Sequence, residues 1–519
     1  MRKKTTEITL KAFTIATILT VAMTFQIPLK TIPKDPNFEP ILLAELSRHG
    51  ARTSIKYPKE DYVLKLGPGN LTGNGQRMHF LLGQQLKKNY PNLFNITADK
   101  YRNEAYLLYS SGVPRTIESA YSQLVGLFPP GPQSGDQVST NQLTQAWTMT
   151  PPFQNFSIDL INKTKSALPG GYRAAPVINA ANNDTLFNQV MERDCPNAFK
   201  LKSTTKKTQY KANNFKANET IQRVLKAGFS PSIFGLESWT LQSLTKLYDH
   251  WVSYLYYFGK FPKGVDEKLY TEFVYMKAWT KLFELTNVDY SKFYTTKISE
   301  ELLTIFDEKT SGGKPHLRFL FFSGHDSTIA PFLHHQKAMT VDCTLKRYSD
   351  YLKNRTLDKI TTESTENDGG RDASQECAVN PPFASNYLWE LNQKKGTNEY
   401  YVRVIYNGEV LNFCPEGSKT APGGFCLYKD FKKQMTQINI LSTADWNKVC
   451  FGTKEKEKES AVIFLGGSKS WFWVMVCSGF TTLFWAWVAV RLYRRLYHED
   501  GKEIIMVTAY STASSYQKL

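Results

Sequence analysis

The chain has 519 residues, 41% of them hydrophobic, with 64 Lys and Arg against 47 Asp and Glu for a net charge of +17. That length exceeds what a single core usually fills, and no internal repeat divides it. The lysines are spread along the chain and gather into no stripe, and no nucleic-acid module interrupts it, so a basic surface is the reading and no nucleic-acid partner is expected. Part of the excess charge can still steer anionic substrates.

In chain order, Arg2, Lys3, Lys4 and Lys11 lead into the apolar run Ala12 to Phe25. The run is long enough for a signal peptide and short for a membrane span. Residues 1–30 are therefore read as a signal peptide or, in the absence of a clean cleavage site, an N-terminal anchor. Ile41 to Leu46 reads as a buried strand and leads straight into Arg48-His49-Gly50-Ala51-Arg52. Two guanidinium forks suited to phosphate oxygens flank an imidazole that is neutral and nucleophilic near pH 7. That juxtaposition points to phosphoryl transfer through a histidine.

Leu46 to Ser54 resembles the RHGxRxP signature of the histidine acid phosphatases, with Ser54 in the place of its proline. Proline would fix a backbone angle, so the exchange is expected to loosen the loop and leave the chemistry intact. Leu71-Thr72-Gly73-Asn74-Gly75, His79 and Gly83 resemble a second family segment, with Met78 where glutamine is usual. Thr72 there is a candidate helix cap and His79 a packing residue or support to the site. Tyr109 to Thr116, continuing to Gly126 and Pro130, resembles the segment of the third arginine, Arg115. Phe322 to Thr328 resembles the distal His325-Asp326 pair, and Val402 to Gly408 also has the family's pattern. His334 and His335 look like a metal doublet only superficially.

The resemblance implies a phosphoglycerate-mutase-like α/β core sheet flanked by helices. Residues 38–130 and 314–460 would form the discontinuous core, with 131–313 inserted as a mostly helical cap. Ile41 to Leu46, Ala105 to Tyr109 and Leu317 to Phe322 are expected strands of an open parallel sheet, whose carboxyl ends converge on one crevice. Within the cap, Phe229 to Tyr257, Tyr270 to Leu285 and Phe293 to Phe306 read as helices, and Leu201 to Gln222 as a loop and then a helix start. The family implies a metal-independent acid phosphatase with no cofactor, cleaving orthophosphoric monoesters. His49 would form a phosphohistidine, Arg48, Arg52, Arg115 and His325 would bind phosphate, and Asp326 would pass the proton. Related alternatives are a phytase-like enzyme, with extra cations from Lys202 to Lys216, and a lipid-phosphate phosphatase. A silent membrane ectodomain or receptor is the alternative of another class.

Trp471 to Val490 is twenty residues without a charge, followed by Arg491, Arg494 and Arg495. It reads as one transmembrane helix with a positive cytoplasmic flank, leaving 491–519 as a cytoplasmic tail. The chain is thus expected to be a single-pass type I membrane protein, in the lysosome or endosome or at the cell surface. Of seven cysteines, Cys477 falls in the span and six in the body, which suits an oxidising compartment. The family pattern implies the pairs Cys195–Cys450, Cys343–Cys377 and Cys414–Cys426. Glycosylation sequons begin at Asn70, Asn95, Asn155, Asn162, Asn183, Asn218 and Asn354, all in the body. Tyr493 and Tyr516 head patterns that sorting adaptors read, and the resemblance leaves room for a homodimer.

Overall fold

The structure is a computed structural model that describes residues 32–55, 61–94, 103–129, 175–180, 186–187, 195–354 and 377–452. The expected signal, transmembrane run, tail, and Asn95, Asn155, Asn162 and Asn183 lie outside these residues. Among the described residues no helix is long and apolar enough to cross a membrane.

Among the described residues a nine-stranded sheet organises the body. Its strands are β1 (Phe38–Arg48), β2 (Tyr106–Ser111), β3 (Ile178–Ala180), β4 (Phe319–Gly324), β5 (Asn386–Lys394), β6 (Tyr400–Tyr406), β7 (Glu409–Leu411), β8 (Thr420–Ala421) and β9 (Phe425–Leu427). The order is β3-β2-β4-β1-β5-β6-β9-β8, with β7 on β6. The three expected strands are β1, β2 and β4, and they pair in parallel as expected, with β4 in the middle. β3 adds to β2 in parallel, but the sheet is mixed, because β5 runs antiparallel to β1 and β6 to β9 continue with antiparallel pairs. Short connections such as Asn407-Gly408 between β6 and β7 permit hairpins there, and both residues take positive φ.

Strand alternation sorts the side chains. Leu42, Ala44, Leu46, Phe322, Trp389 and Val404 share one core face. Leu43, Phe319, Phe321, Leu388 and Ile405 share the other. Each fully buried Phe or Leu contributes roughly 1.5–3 kcal/mol. The second face is covered by α1 (Gly73–Asn89) and α2 (Pro114–Leu127). These helices approach closely where Gly83 meets Gln123 and Gly126 meets Phe80, and a Cβ at either glycine would collide with the opposing backbone. That explains the two motif glycines.

Helices α3 (Pro196–Asn213), α4 (Asn218–Lys226), α5 (Leu241–Phe258) and α6 (Glu267–Lys281) enclose an aromatic cluster of their own with α9 (Val341–Asn354). Trp251, Phe273, Trp279 and Tyr348 lie within it. The intervening helices α7 (Val288–Thr310) and α8 (Asp326–His335), together with α10 (Tyr428–Asn439) and α11 (Thr443–Phe451), pack on the first face of the sheet. The stretch read as a loop from Leu201 is helical from Pro196 onward. It is amphipathic in an unobvious way, burying only Ala198 and Tyr210, and Pro196 at its start follows the disulfide-bonded Cys195. The single helix read over Phe229 to Tyr257 begins only at Leu241, after a short turn at Pro231–Phe234.

Disulfides join Cys195 to Cys450, Cys343 to Cys377 and Cys414 to Cys426, the same pairs that the resemblance implies. Asn70 and Asn218 are exposed.

Candidate active site

β1 leads directly into the Arg48 to Arg52 loop, which is tied on several sides. The Arg48 N–H donates to Ser385 O at 2.9 Å and the His49 N–H to Gly324 O at 3.0 Å. The Gly50 N–H donates to Ser119 Oγ on α2 at 3.0 Å. From α1, the fully buried His79 reaches Arg48 O with Nε2 at 3.0 Å. Thr72 caps α1 by accepting from the Gly75 N–H and donates to Ala51 O at 2.9 Å.

His49 is buried, and its Nδ1 lies 2.9 Å from Gly50 O. A carbonyl only accepts, so Nδ1 carries the hydrogen and the neutral ring keeps its lone pair on Nε2. Burial, helped by the charges of Arg48, His325, Arg115 and Arg52, holds this imidazole well below its usual pKa of 6.5. Both effects favour the form in which Nε2 is unprotonated.

Three guanidinium groups gather around it. Arg48 stacks 4.3 Å over the Phe383 ring and donates to Pro381 O at 2.5 Å. Arg52 donates to Thr53 O at 2.9 Å and to Asp249 Oδ1 at 2.6 Å. Arg115 sits in the first turn of α2, just after Pro114. Burial, then the like charges of Arg52 and Arg48, lowers Arg115 to about 10. Among the described residues the buried Nε–H of each has no hydrogen-bond partner. Converging buried cations with unused donors suit a phosphate-like anion.

β4 delivers the other half. His325 caps α8 and its Nε2 meets Ser111 Oγ at 2.9 Å, and its ring centre is 5.5 Å from that of His49. Burial and Arg115 lower its pKa to about 3. Asp326 opens α8, where the helix dipole favours a carboxylate. Lys281 Nζ lies 3.3 Å from its Oδ1 and Arg48 4.0 Å from its Oδ2. Burial opposes ionisation of Asp326, but Lys281, Arg48 and Lys277 win and hold it well below the usual carboxylate range.

All six motif residues thus meet at the carboxyl ends of β1, β2 and β4. Asp249 on α5 and Lys277 and Lys281 on α6 were not singled out from the sequence. Asp249 anchors Arg52, accepts the Ile55 N–H at 2.9 Å, and lies 3.3 Å from the hydroxyl of Ser54. The residue in the place of the family's proline is therefore tied to α5. The spacing of Lys277 and Lys281 puts them on one helical face, the one faint sign of them in the sequence. His334 and His335 are occupied elsewhere, His335 by Ser291 and Asn439 and His334 by Met339 O.

Several known proteins are similar to this chain. Lysosomal acid phosphatase of Rattus norvegicus is 42% identical over 89 residues, 16% of this chain and 20% of that enzyme. The chain thus spans about a fifth of the length of the lysosomal relatives it matches. Prostatic acid phosphatase of Bos taurus is 23% identical over 432 residues, 80% of this chain and 88% of that enzyme. Among solved structures, the apo phytase of Hafnia alvei superposes with a TM-score of 0.49 at 12% identity, covering 79% of this chain and 98% of that one. The profile of the histidine phosphatase superfamily (branch 2) matches residues 39–407, from β1 to the end of β6, and by that match the chain belongs to this superfamily.

Proposed function

We propose that the chain is a metal-independent acid phosphatase that hydrolyses orthophosphoric monoesters through a phosphohistidine. The observation that carries this reading is the His49 Nδ1–H fixed on Gly50 O, which leaves Nε2 as the nucleophile among three guanidinium groups. Arg48, Arg52 and Arg115 bind the non-bridging oxygens and offset the charge of the transition state, with His325 as a further donor. His49 Nε2 attacks phosphorus, the ester P–O bond breaks, and the leaving oxygen takes its proton from Asp326. The Asp326 carboxylate then accepts a proton from water as that water attacks phosphorus, the N–P bond breaks, and inorganic phosphate departs. A bound phosphate dianion cancels part of the field of Arg48 and Lys281, which raises Asp326 toward the protonated form the first step needs.

Residues 131–313 are proposed as the cap that meets the leaving group, and Asp249, Lys277 and Lys281 come from this range. A specific observation favours a second reading, a phytase-like or lipid-phosphate preference. Lys281 lies beside Asp326, on the leaving-group side, and Lys206 and Lys202 stand 3.5 and 3.9 Å from Glu284 Oε2. These lysines outnumber the carboxylates they face and would suit a leaving group with its own anionic charge. The proposed setting is a type I membrane glycoprotein, with Trp471 to Val490 as the span and the sequon asparagines glycosylated. A lysosomal or surface location, a homodimer and sorting adaptors on the tail complete it.

The test is phosphate release from p-nitrophenyl phosphate between pH 3 and 8, with EDTA, by the wild type and His49→Ala. Acid-range activity that survives chelation and disappears in the variant supports the reading. No release from this or from phytate and lysophosphatidate by folded, disulfide-intact protein would instead indicate a silent ectodomain.

A further inference from the structure

Behind the Arg48 loop, on the face of the sheet that α1 and α2 cover, the core contains a polar chain. Glu45 interrupts the apolar run of β1 and is fully buried. Its Oε2 lies 2.5 Å from Gln123 Nε2 on α2, Gln123 Oε1 lies 2.9 Å from His79 Nδ1 on α1, and His79 Nε2 lies 3.0 Å from Arg48 O. All three side chains are buried.

The far end fixes the protons, because Arg48 O only accepts and His79 Nε2 must therefore carry hydrogen. The Gln123 amide has two isosteric orientations. With its NH2 toward Glu45, the amide oxygen needs a hydrogen from His79 Nδ1, which makes an imidazolium facing a carboxylate through the amide. With its oxygen toward Glu45, that oxygen needs a hydrogen from the carboxyl, and the NH2 donates to a neutral His79. Either way Glu45 and His79 hold one shared proton and sum to zero charge. Removing that proton leaves one contact facing acceptor to acceptor, and adding a second leaves a buried imidazolium with no counter-charge in the chain.

We propose that Glu45, Gln123 and His79 are positioning residues, a one-proton chain that holds the Arg48 carbonyl and so sets the clamp loop. The positioning half rests on the phosphatase reading above, and the proton half stands without it. Burial, opposed by hydrogen bonds to Gln123 and Asn386, pushes Glu45 up to about 8. Burial, opposed by Gln123 and Arg48 O, lowers His79 to about 4. Both shifts favour the neutral arrangement. The other ionisable groups near Glu45 are Tyr90, from the segment after α1, with Glu390 of β5 and Arg403 of β6. Glu390 and Arg403 pair at 2.9 Å, and the Tyr90 hydroxyl donates to Glu390 at 2.6 Å. The β4 neighbour of Glu45 is the apolar Phe321.

The sign of the pH effect follows by linkage. Glu45 is raised on folding, so its contribution is present below 4.5 and is lost as pH rises toward about 8. His79 is lowered on folding, from 6.5 to about 4, and offsets this up to 6.5, so the wild-type pair loses stability mainly between 6.5 and 8. Glu45→Gln keeps a donor toward Gln123 but has no proton to lose, so comparing it with the wild type isolates Glu45.

The test uses the full chain, with pH-dependent unfolding and p-nitrophenyl phosphate kinetics for wild type, Glu45→Gln, Glu45→Leu and Gln123→Leu. Relative to Glu45→Gln, the wild-type unfolding constant should rise about tenfold per pH unit between 5 and 8. At acid pH Glu45→Gln should keep kcat and KM within about twofold, while the folded Leu variants lose about tenfold in kcat/KM, mostly in KM. Parallel pH slopes for wild type and Glu45→Gln would overturn the shared proton. Leu variants that fold and match wild-type kinetics would overturn the positioning role. An inactive wild type would overturn the phosphatase reading and the positioning role with it, while the slope comparison still decides the proton.

Discussion

The sheet and the helices α5 and α6 act on the same few atoms in opposite ways. The carboxyl ends of β1, β2 and β4 contribute a histidine kept neutral and three guanidinium groups crowded together. This cationic assembly is costly to bury without an anion. The helices contribute charges that pair with groups at these strand ends, the carboxylate of Asp249 with Arg52 and the ammonium of Lys281 with Asp326. In the proposed mechanism the sheet fixes where phosphate binds, and the helices set how strongly Arg52 is held and when Asp326 is protonated. Sheet substitutions should therefore remove chemistry, whereas helix substitutions should move affinity and pH response.

The largest break should come at His49. His49→Ala, checked for an unchanged melting temperature, should lose at least ~10³-fold in kcat. Next is Arg115→Ala, where loss of one donor to the transition state should lower kcat/KM by about 10²–10³-fold, read in steady-state kinetics. On the helical side, Asp249→Asn keeps the shape but loosens Arg52, and an order-of-magnitude fall in kcat/KM, roughly tenfold, is expected. If Asp249→Asn cost as much as Arg115→Ala, the division of labour between sheet and helices would fail. The smallest effect should be Lys281→Met. Removing that ammonium raises the Asp326 pKa, so the proton donor survives to higher pH. The alkaline limb of the kcat/KM profile should move up, with less than about tenfold change at the optimum. A limb that moves down would contradict the pairing of Lys281 with Asp326.

The sheet residues were legible because each follows an apolar run within a residue or a few, as His49 follows β1 and His325 follows β4. Arg115 follows β2 across the short turn Gly112-Val113, as the second residue of α2. Asp249, Lys277 and Lys281 were not, since they sit inside helices whose polar positions look like any solvated face. Glu45 lies inside an apolar strand run, and nothing local in the sequence announces its partners at Gln123 and His79 on two different helices. The antiparallel half of the sheet was missed for a similar reason. Apolar runs mark strands, but their direction is set by connections such as Asn407-Gly408, which carried only the family pattern. The helical start at Pro196 was hidden by the lysines that crowd α3, whose buried side is just two residues wide.

The most direct measurement is a rapid quench of the full-length enzyme turning over ³²P-labelled phosphomonoester, with the labelled peptide identified by mass spectrometry. An acid-labile, alkali-stable phosphoryl group on His49, formed and discharged at rates that support turnover, is the predicted result. Turnover with no labelled intermediate, or a label on any other residue, would contradict a phosphohistidine built on His49 Nε2.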